Sequence, residues 1–425
     1  MKSNLFLKLI IIITLLKPGI LKASDGVLDG LFKSRSYFEL RDEYEIRKSN
    51  LTSADKLYYE SLLESLFNKP ASAIDKINVL MNEVSSVVTD SMKINLLKSK
   101  INNCVYLFEY AEAHETTNLL LDKYKDRIEE KEIEELINSA LIWEACRELG
   151  KLSLEKSGDT KLNVKKDIAG LTNVNIEINN IPMDFIFDTG ANFSTISESV
   201  AAKMNLVFLK NKIKVGSFTG SKVDSKLAYA EVLKIGNMIF KNVLFLVLPD
   251  EALTFGGGIY VIKGIIGFPV IKEMQELHIT SDEIFVPENT GESAFSNMAL
   301  DGFLPVIETL INSDTTVFSF DTGAKNTVLY YGYYRKNKNL IDSIYKPVEL
   351  KMGGAGGDVT VPGFKLKDVK IEISSKEIVL EEVSLISKVI KDNDKYLHGN
   401  LGSDFINSFS KMKINFKDMY IEFVN

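Results

Sequence analysis

The chain has 425 residues, of which 45% are hydrophobic and 26% charged, with a formal net charge of -7. That length accommodates two or three domains of roughly 100–200 residues, each with a core of its own. The acidic balance argues against nucleic acid as a partner, because phosphate binding needs clustered Lys and Arg; Lys210, Lys212 and Lys214 alternate with other residues and read as one solvated strand face.

At the N-terminus Lys2 and Lys8 precede an apolar run over 9–16, and small residues follow at Ala23 and Ser24. A helix needs about 20 apolar residues to cross a bilayer, so this run is short. It reads as a secretory signal peptide, residues 1–23, cleaved near Ala23. The other reading is an uncleaved anchor, the one route by which this chain would meet a membrane, although Lys17, Pro18 and Gly19 break the run.

Residues 24–156 carry helical periodicity. Leu57, Tyr58, Leu62, Leu63 and Leu66 recur at helical spacing, as do Ile74, Ile77, Leu80 and Met81, and the pattern continues over 96–110, 113–124 and 133–149. Breaks fall near Pro70, Ala113 and Gly150. The period is about 40 residues, as in arrays of helical hairpins, which offer a concave surface to a protein partner; a plain bundle fits the pattern equally. The two cysteines, Cys104 and Cys146, lie in this segment, as a disulfide or as buried free thiols. The three histidines are scattered, which leaves a zinc site without ligands.

The polar stretch 156–166 marks a boundary, after which the period becomes strand-like. Val174, Ile176 and Ile178 alternate with polar residues, and Phe185, Ile186 and Phe187 form an apolar run. Further strands are expected at 213–215, 228–235, 238–248 and 264–266. A second polar stretch, 287–297, separates this unit, 167–286, from a third, 298–425, with strands expected at 317–320, 369–373, 378–383, 412–416 and 419–424.

The third unit repeats the second. Residues 187–191 read Phe-Asp-Thr-Gly-Ala and residues 320–324 read the same, which puts Asp188 and Asp321 133 positions apart (321 minus 188). Ile265-Ile266-Gly267 follows Asp188 with its Gly 79 residues on, and Asn400-Leu401-Gly402 follows Asp321 with its Gly 81 on (267 minus 188; 402 minus 321). A tetrapeptide recurs by chance; two copies, each with a matching partner at a matched distance, do not. Hydrolysis needs a base to activate water and an acid to protonate the leaving group, work that paired carboxyls suit. A glycosidase also uses paired carboxylates, but nothing in that chemistry asks for twin Asp-Thr-Gly loops.

With these motifs, residues 167–425 resemble the aspartic peptidases, and the retropepsin-like branch in particular. The resemblance implies an all-β bilobal peptidase fold, lobe 1 over 167–286 and lobe 2 over 298–425, behind the helical repeat-like domain: an α+β multidomain chain. It implies Asp188 and Asp321 as the catalytic pair, Thr189 and Thr322 locking the two loops together, and Gly190, Ala191, Gly323 and Ala324 supporting them. Gly267 and Gly402 would pack beneath the loops. Phe218, Thr219 and Gly220 are similar to the flap of pepsin-like enzymes, and Gly353 and Gly354, in a Gly-rich run, to retroviral flaps; an ordinary hairpin turn is the alternative at each. Ala191 and Ala324, where pepsin-like enzymes carry Ser or Thr, lead us to expect a less acidic optimum. The expected function is an aspartic endopeptidase, a hydrolase, acting on extended polypeptides outside the cytoplasm, periplasmic or secreted, without metal or organic cofactor. The alternative is a non-catalytic peptide-binding or scaffold protein that uses the helical domain and the interlobe cleft. The helical segment is expected to be a binding domain or a removable pro-segment.

Overall fold

The computed structural model describes residues 25–216, 222–293, 295–354 and 357–424. The expected signal segment lies outside these. Among the described residues no helix is long and apolar enough to cross a membrane.

Seven α-helices occupy the first part of the described chain: Gly26–Lys33, Tyr37–Arg47, Ser53–Leu66, Pro70–Asn82, Asp90–Tyr106, Tyr110–Tyr124 and Glu130–Ala145. Their starts follow local chemistry. Asp25, Thr52 and Thr89 accept hydrogen bonds from the first-turn N–H groups of three of them, and Pro70, with no N–H to lose, opens a fourth. Sequence analysis runs one helix over 96–110; it stops at Tyr106, because Phe108 takes a left-handed backbone (φ 56°) that no helix continues. The last helix likewise ends at Ala145, short of the expected 149.

Two closed β-structures follow. In the first, six strands ring in the order Thr172–Ile178, Ile181–Phe187, Gly264–Ile266, Ser194–Ser197, Met238–Leu248 and Lys222–Ile235, the last pairing back onto the first. In the second, Leu304–Ile311, Asp314–Phe320, Gly399–Leu401, Val328–Leu329, Lys376–Ile386 and Gly357–Ile373 close in the same cyclic order. Side chains alternate between core and surface along these strands, as in Thr172–Ile178. The helix Tyr331–Ile344 in the second unit has no counterpart among the sequence expectations, since Tyr333 and Ile341 are its only buried large apolar residues and give no readable stripe.

A five-stranded sheet joins the parts: Thr160–Asn163, Glu283–Val286, Glu276–Ile279, Lys411–Asn415 and Tyr420–Val424. The stretch 156–166, read from sequence as a polar boundary, therefore contains a strand, Thr160–Asn163. Thr160 and Leu162 are buried there while Lys161 and Asn163 face out, a pattern too short to stand out in a polar context.

The helices share their core with the β-structures. Val105, Tyr106, Tyr110 and Trp143 belong to one apolar cluster with Phe187, Phe268, Phe320 and Phe416. Earlier helices pack Tyr58, Leu62 and Leu96 with Ala299, Val306 and Val317. Polar contacts reinforce this: Arg35 pairs with Asp301 at 2.6 Å, the Tyr37 hydroxyl donates to Asp301 at 2.7 Å, and Asn68 Nδ2 donates to the Phe416 carbonyl at 2.7 Å. Cys104 and Cys146 are free and buried, and burial pushes both thiols up to about 12.

Candidate active site

Each Asp sits at the end of an apolar strand held by a parallel neighbour. Ile181–Phe187 pairs with Gly264–Ile266, and the Asp188 N–H donates to the Ile266 carbonyl at 3.0 Å. Asp314–Phe320 pairs with Gly399–Leu401, and the Asp321 N–H donates to the Leu401 carbonyl at 3.3 Å. Buried strands on both sides of the turn fix the point at which each chain leaves the sheet.

The two turns then grip each other. The Thr189 hydroxyl donates to the Phe320 carbonyl at 3.1 Å and accepts from the Thr322 N–H at 3.1 Å. The Thr322 hydroxyl donates to the Phe187 carbonyl at 2.8 Å and accepts from the Thr189 N–H at 3.1 Å. All four bonds are buried, where an unpaired backbone group would be costly.

This grip brings the carboxyls together. Each Asp accepts from the N–H two residues on, Gly190 to Asp188 and Gly323 to Asp321, both at 2.8 Å. Each carboxyl also lies against the glycine of the opposite turn: a Cβ on Gly190 would fall 2.5 Å from Asp321 Cγ, and one on Gly323 would strike Asp188 in the same way. Only glycine lets the two backbones approach this closely.

Burial raises both carboxyls above the ordinary range, as it disfavours the charged form. Asp188 is raised further, since the charge and hydrogen bond of Asp321 add to its burial, whereas the hydrogen bond to Asp188 lowers Asp321. The pair titrates as a unit and holds one proton between two acids over a range of pH.

Gly267 and Gly402 lie close against the backbone of the two Asp loops. A Cβ on Gly267 would meet the Phe193 carbonyl carbon at 2.6 Å, and one on Gly402 that of Asn326 at 2.5 Å. The N–H of Phe268 donates to Ala191 at 2.8 Å and that of Ser403 to Ala324 at 2.9 Å. Two further pairs and one single residue, not among those expected from the sequence, support the loops. Ser194 and Thr327 accept from the Gly267 and Gly402 N–H groups, both at 3.1 Å; their signal was a hydroxyl six residues after each Asp. Gly264 and Gly399, three before each motif glycine, leave room for the rings of Phe185 and Phe318. Asp404 accepts from the Thr327 N–H at 2.8 Å, with no counterpart in the first unit to reveal it.

Phe218, Thr219 and Gly220 lie outside the described residues, between Val207–Gly216 and Lys222–Ile235, which pair up to Gly216 and Lys222. Gly353 and Gly354 end the strand Val348–Gly354, paired with Asp358 and Gly357. The Gly-rich stretch 254–258, to which the sequence assigns no role, forms a small hairpin whose apolar residues Leu253 and Ile262 pack together with Ala191 of the Asp188 loop. Among the described residues no group of three or more His, Cys, Asp and Glu is placed to hold a metal ion.

Two coupled carboxyls, each set against the glycine of the opposite turn, can in chemical terms act as an acid–base pair. Residues 174–270, which include Asp188 and Gly267, match the model of the family described as aspartyl protease. No curated protein matches the chain. The chain carries an aspartyl protease-like domain over residues 174–270, and this match supports protease activity.

Proposed function

We propose that the chain is an exported aspartic endopeptidase whose catalytic carboxyls are Asp188 and Asp321, contributed by two retropepsin-like lobes of one polypeptide. The observation that carries this reading is the reciprocal Thr189–Thr322 grip, which sets each carboxyl against the glycine of the opposite turn. The ionised carboxyl takes a proton from water as the oxygen attacks the peptide carbonyl carbon. The protonated one donates to the carbonyl oxygen, and the proton gained from water then goes to the leaving nitrogen. An extended polypeptide would lie along the strand pairs Val207–Gly216/Lys222–Ile235 and Val348–Gly354/Gly357–Ile373 through main-chain hydrogen bonds.

The test is cleavage of an unfolded protein by the purified chain across a pH series, beside Asp188→Asn and Asp321→Asn. Loss of at least about 1000-fold in kcat in both variants, as expected when an acid–base partner is removed, supports the dyad. An inert parent, or one variant that cuts normally, sinks it and favours a peptide-binding protein. An optimum far into the acid range would count against the role given to Ala191 and Ala324. Export is tested by sequencing the N-terminus of chain recovered outside the cytoplasm: a start near Ser24 supports a cleaved signal, and full-length chain in the membrane fraction overturns it.

A further inference from the structure

We propose that the helical segment is part of the catalytic apparatus: Trp143, on the helix Glu130–Ala145, is a positioning residue for the loop that carries Asp188. The two Asp loops correspond residue by residue through the 133-residue offset, and their hydrogen bonds repeat. They differ in how they are braced from outside.

In the second loop the brace is internal. Asp404, two residues beyond Gly402, accepts from the Thr327 N–H at 2.8 Å and from the Thr327 hydroxyl at 2.7 Å. Asn326, five residues after Asp321, is exposed. In the first loop the residue two beyond Gly267 is Pro269, which offers no acceptor side chain, and the residue five after Asp188 is Phe193. The Phe193 ring lies 6.1 Å from Trp143, which is itself buried and stacked on Tyr110 at 6.0 Å. A second contact supports the same loop. Phe268, whose N–H holds the Ala191 carbonyl, meets the edge of Tyr106 at 6.4 Å. Lys272, on the short helix Phe268–Glu273, donates to the Tyr106 carbonyl at 3.1 Å and lies over the Phe108 ring at 4.8 Å. Rings from the helical segment thus contact the first loop and the residue that holds it, whereas the second loop is held by the Asp404 carboxylate.

The Trp143 indole N–H is buried without a hydrogen-bond partner. Its contribution is therefore the ring, and phenylalanine can replace it.

The kinetic arm of the test rests on the dyad reading; the structural arm does not. In Trp143→Ala, amide exchange over residues 189–194 should rise at least about 10-fold while that over 323–327 stays within about 2-fold. Where the parent cuts, kcat should fall about 10-fold or more with KM within about 2-fold, since a misplaced group costs chemistry more than binding. Trp143→Phe should restore both. Phe193→Leu, which weakens the same contact from the loop side, carries the same expectations if Trp143→Ala does not fold. Unchanged exchange over 189–194, equal loosening of both loops, or no recovery in Trp143→Phe overturns the proposal. A parent that does not cut defeats the dyad reading alone, and the exchange comparison still decides this one.

Discussion

At the scale of single residues, the site is held by groups that have no alternative partners. Thr322 is buried, and its hydroxyl serves the Phe187 carbonyl and the Thr189 N–H at once. Thr322→Ala leaves both without a partner in a place water does not reach, and should cost about 2–4 kcal/mol. Thr322→Ser keeps the hydroxyl and should lose less than half of that; urea unfolding of the two variants beside the parent measures the difference. If Ala and Ser cost the same, packing of the methyl, and not the hydrogen bonds, is what the position supplies. Gly190 and Gly323 are tighter still, since any side chain there collides with a carboxyl of the opposite turn.

At the scale of elements, the joining sheet carries the burden of keeping the parts in register. Its central strands, Glu276–Ile279 and Lys411–Asn415, come from opposite halves of the β-region and pair Glu276 with Asn415. Burial alone would raise the Glu276 carboxyl, but hydrogen bonds from His278, Lys413 and the Gly291 N–H together lower it. Oε1 pairs with Lys413 at 3.0 Å, and Oε2 accepts from Asn415 at 2.9 Å and Gly291 at 3.0 Å. Glu276→Ala should destabilise by about 2–4 kcal/mol, less than a fully buried pair because Lys413 and His278 keep contact with water. Chemical denaturation tests this, and a cost under about 1 kcal/mol would mean that the backbone ladder holds the sheet unaided. The helical elements are bound as firmly: Arg35, Tyr37 and Tyr106 all reach the turn at 301–302.

At the scale of the whole molecule, the site works against stability. The Asp188 carboxyl is raised by burial and by Asp321, so the folded state holds a proton that the unfolded chain releases. Stability linked to this group is therefore full below the unfolded carboxylate range and is lost as pH rises through the folded value. Asp188→Asn removes the penalty. Its midpoint of thermal unfolding should exceed that of the parent by more at about pH 7 than at about pH 3. An equal difference at both would show that the carboxyl titrates as it does in the unfolded chain. His398 acts in the opposite sense. Burial pushes its imidazole down to about 4, so stability is lost as pH falls from the ordinary histidine range toward that value.

How much of this was legible depends on the range of the forces involved. The doubled Asp-Thr-Gly-Ala and the paired apolar-Gly motifs are local patterns, and the strands that carry them appear where alternation or apolar runs are strong, as at Thr172–Ile178 and Met238–Leu248. The helices are legible for the same reason, and their ends less so: Phe108 breaks a helix through a backbone conformation that its residue type does not advertise. The strand Thr160–Asn163 and the helix Tyr331–Ile344 stayed hidden because their burial comes from distant partners. By itself, the sequence determined that the Asp-Thr-Gly-Ala loop and its apolar-Gly partner come in two copies, because spacing along the chain is enough to show a repeat. Only the tertiary structure decided that the copies brace differently, one through Asp404 and the other through Trp143, because that depends on which side chains folding brings into contact across 50 residues of chain or more (193 minus 143; 404 minus 327).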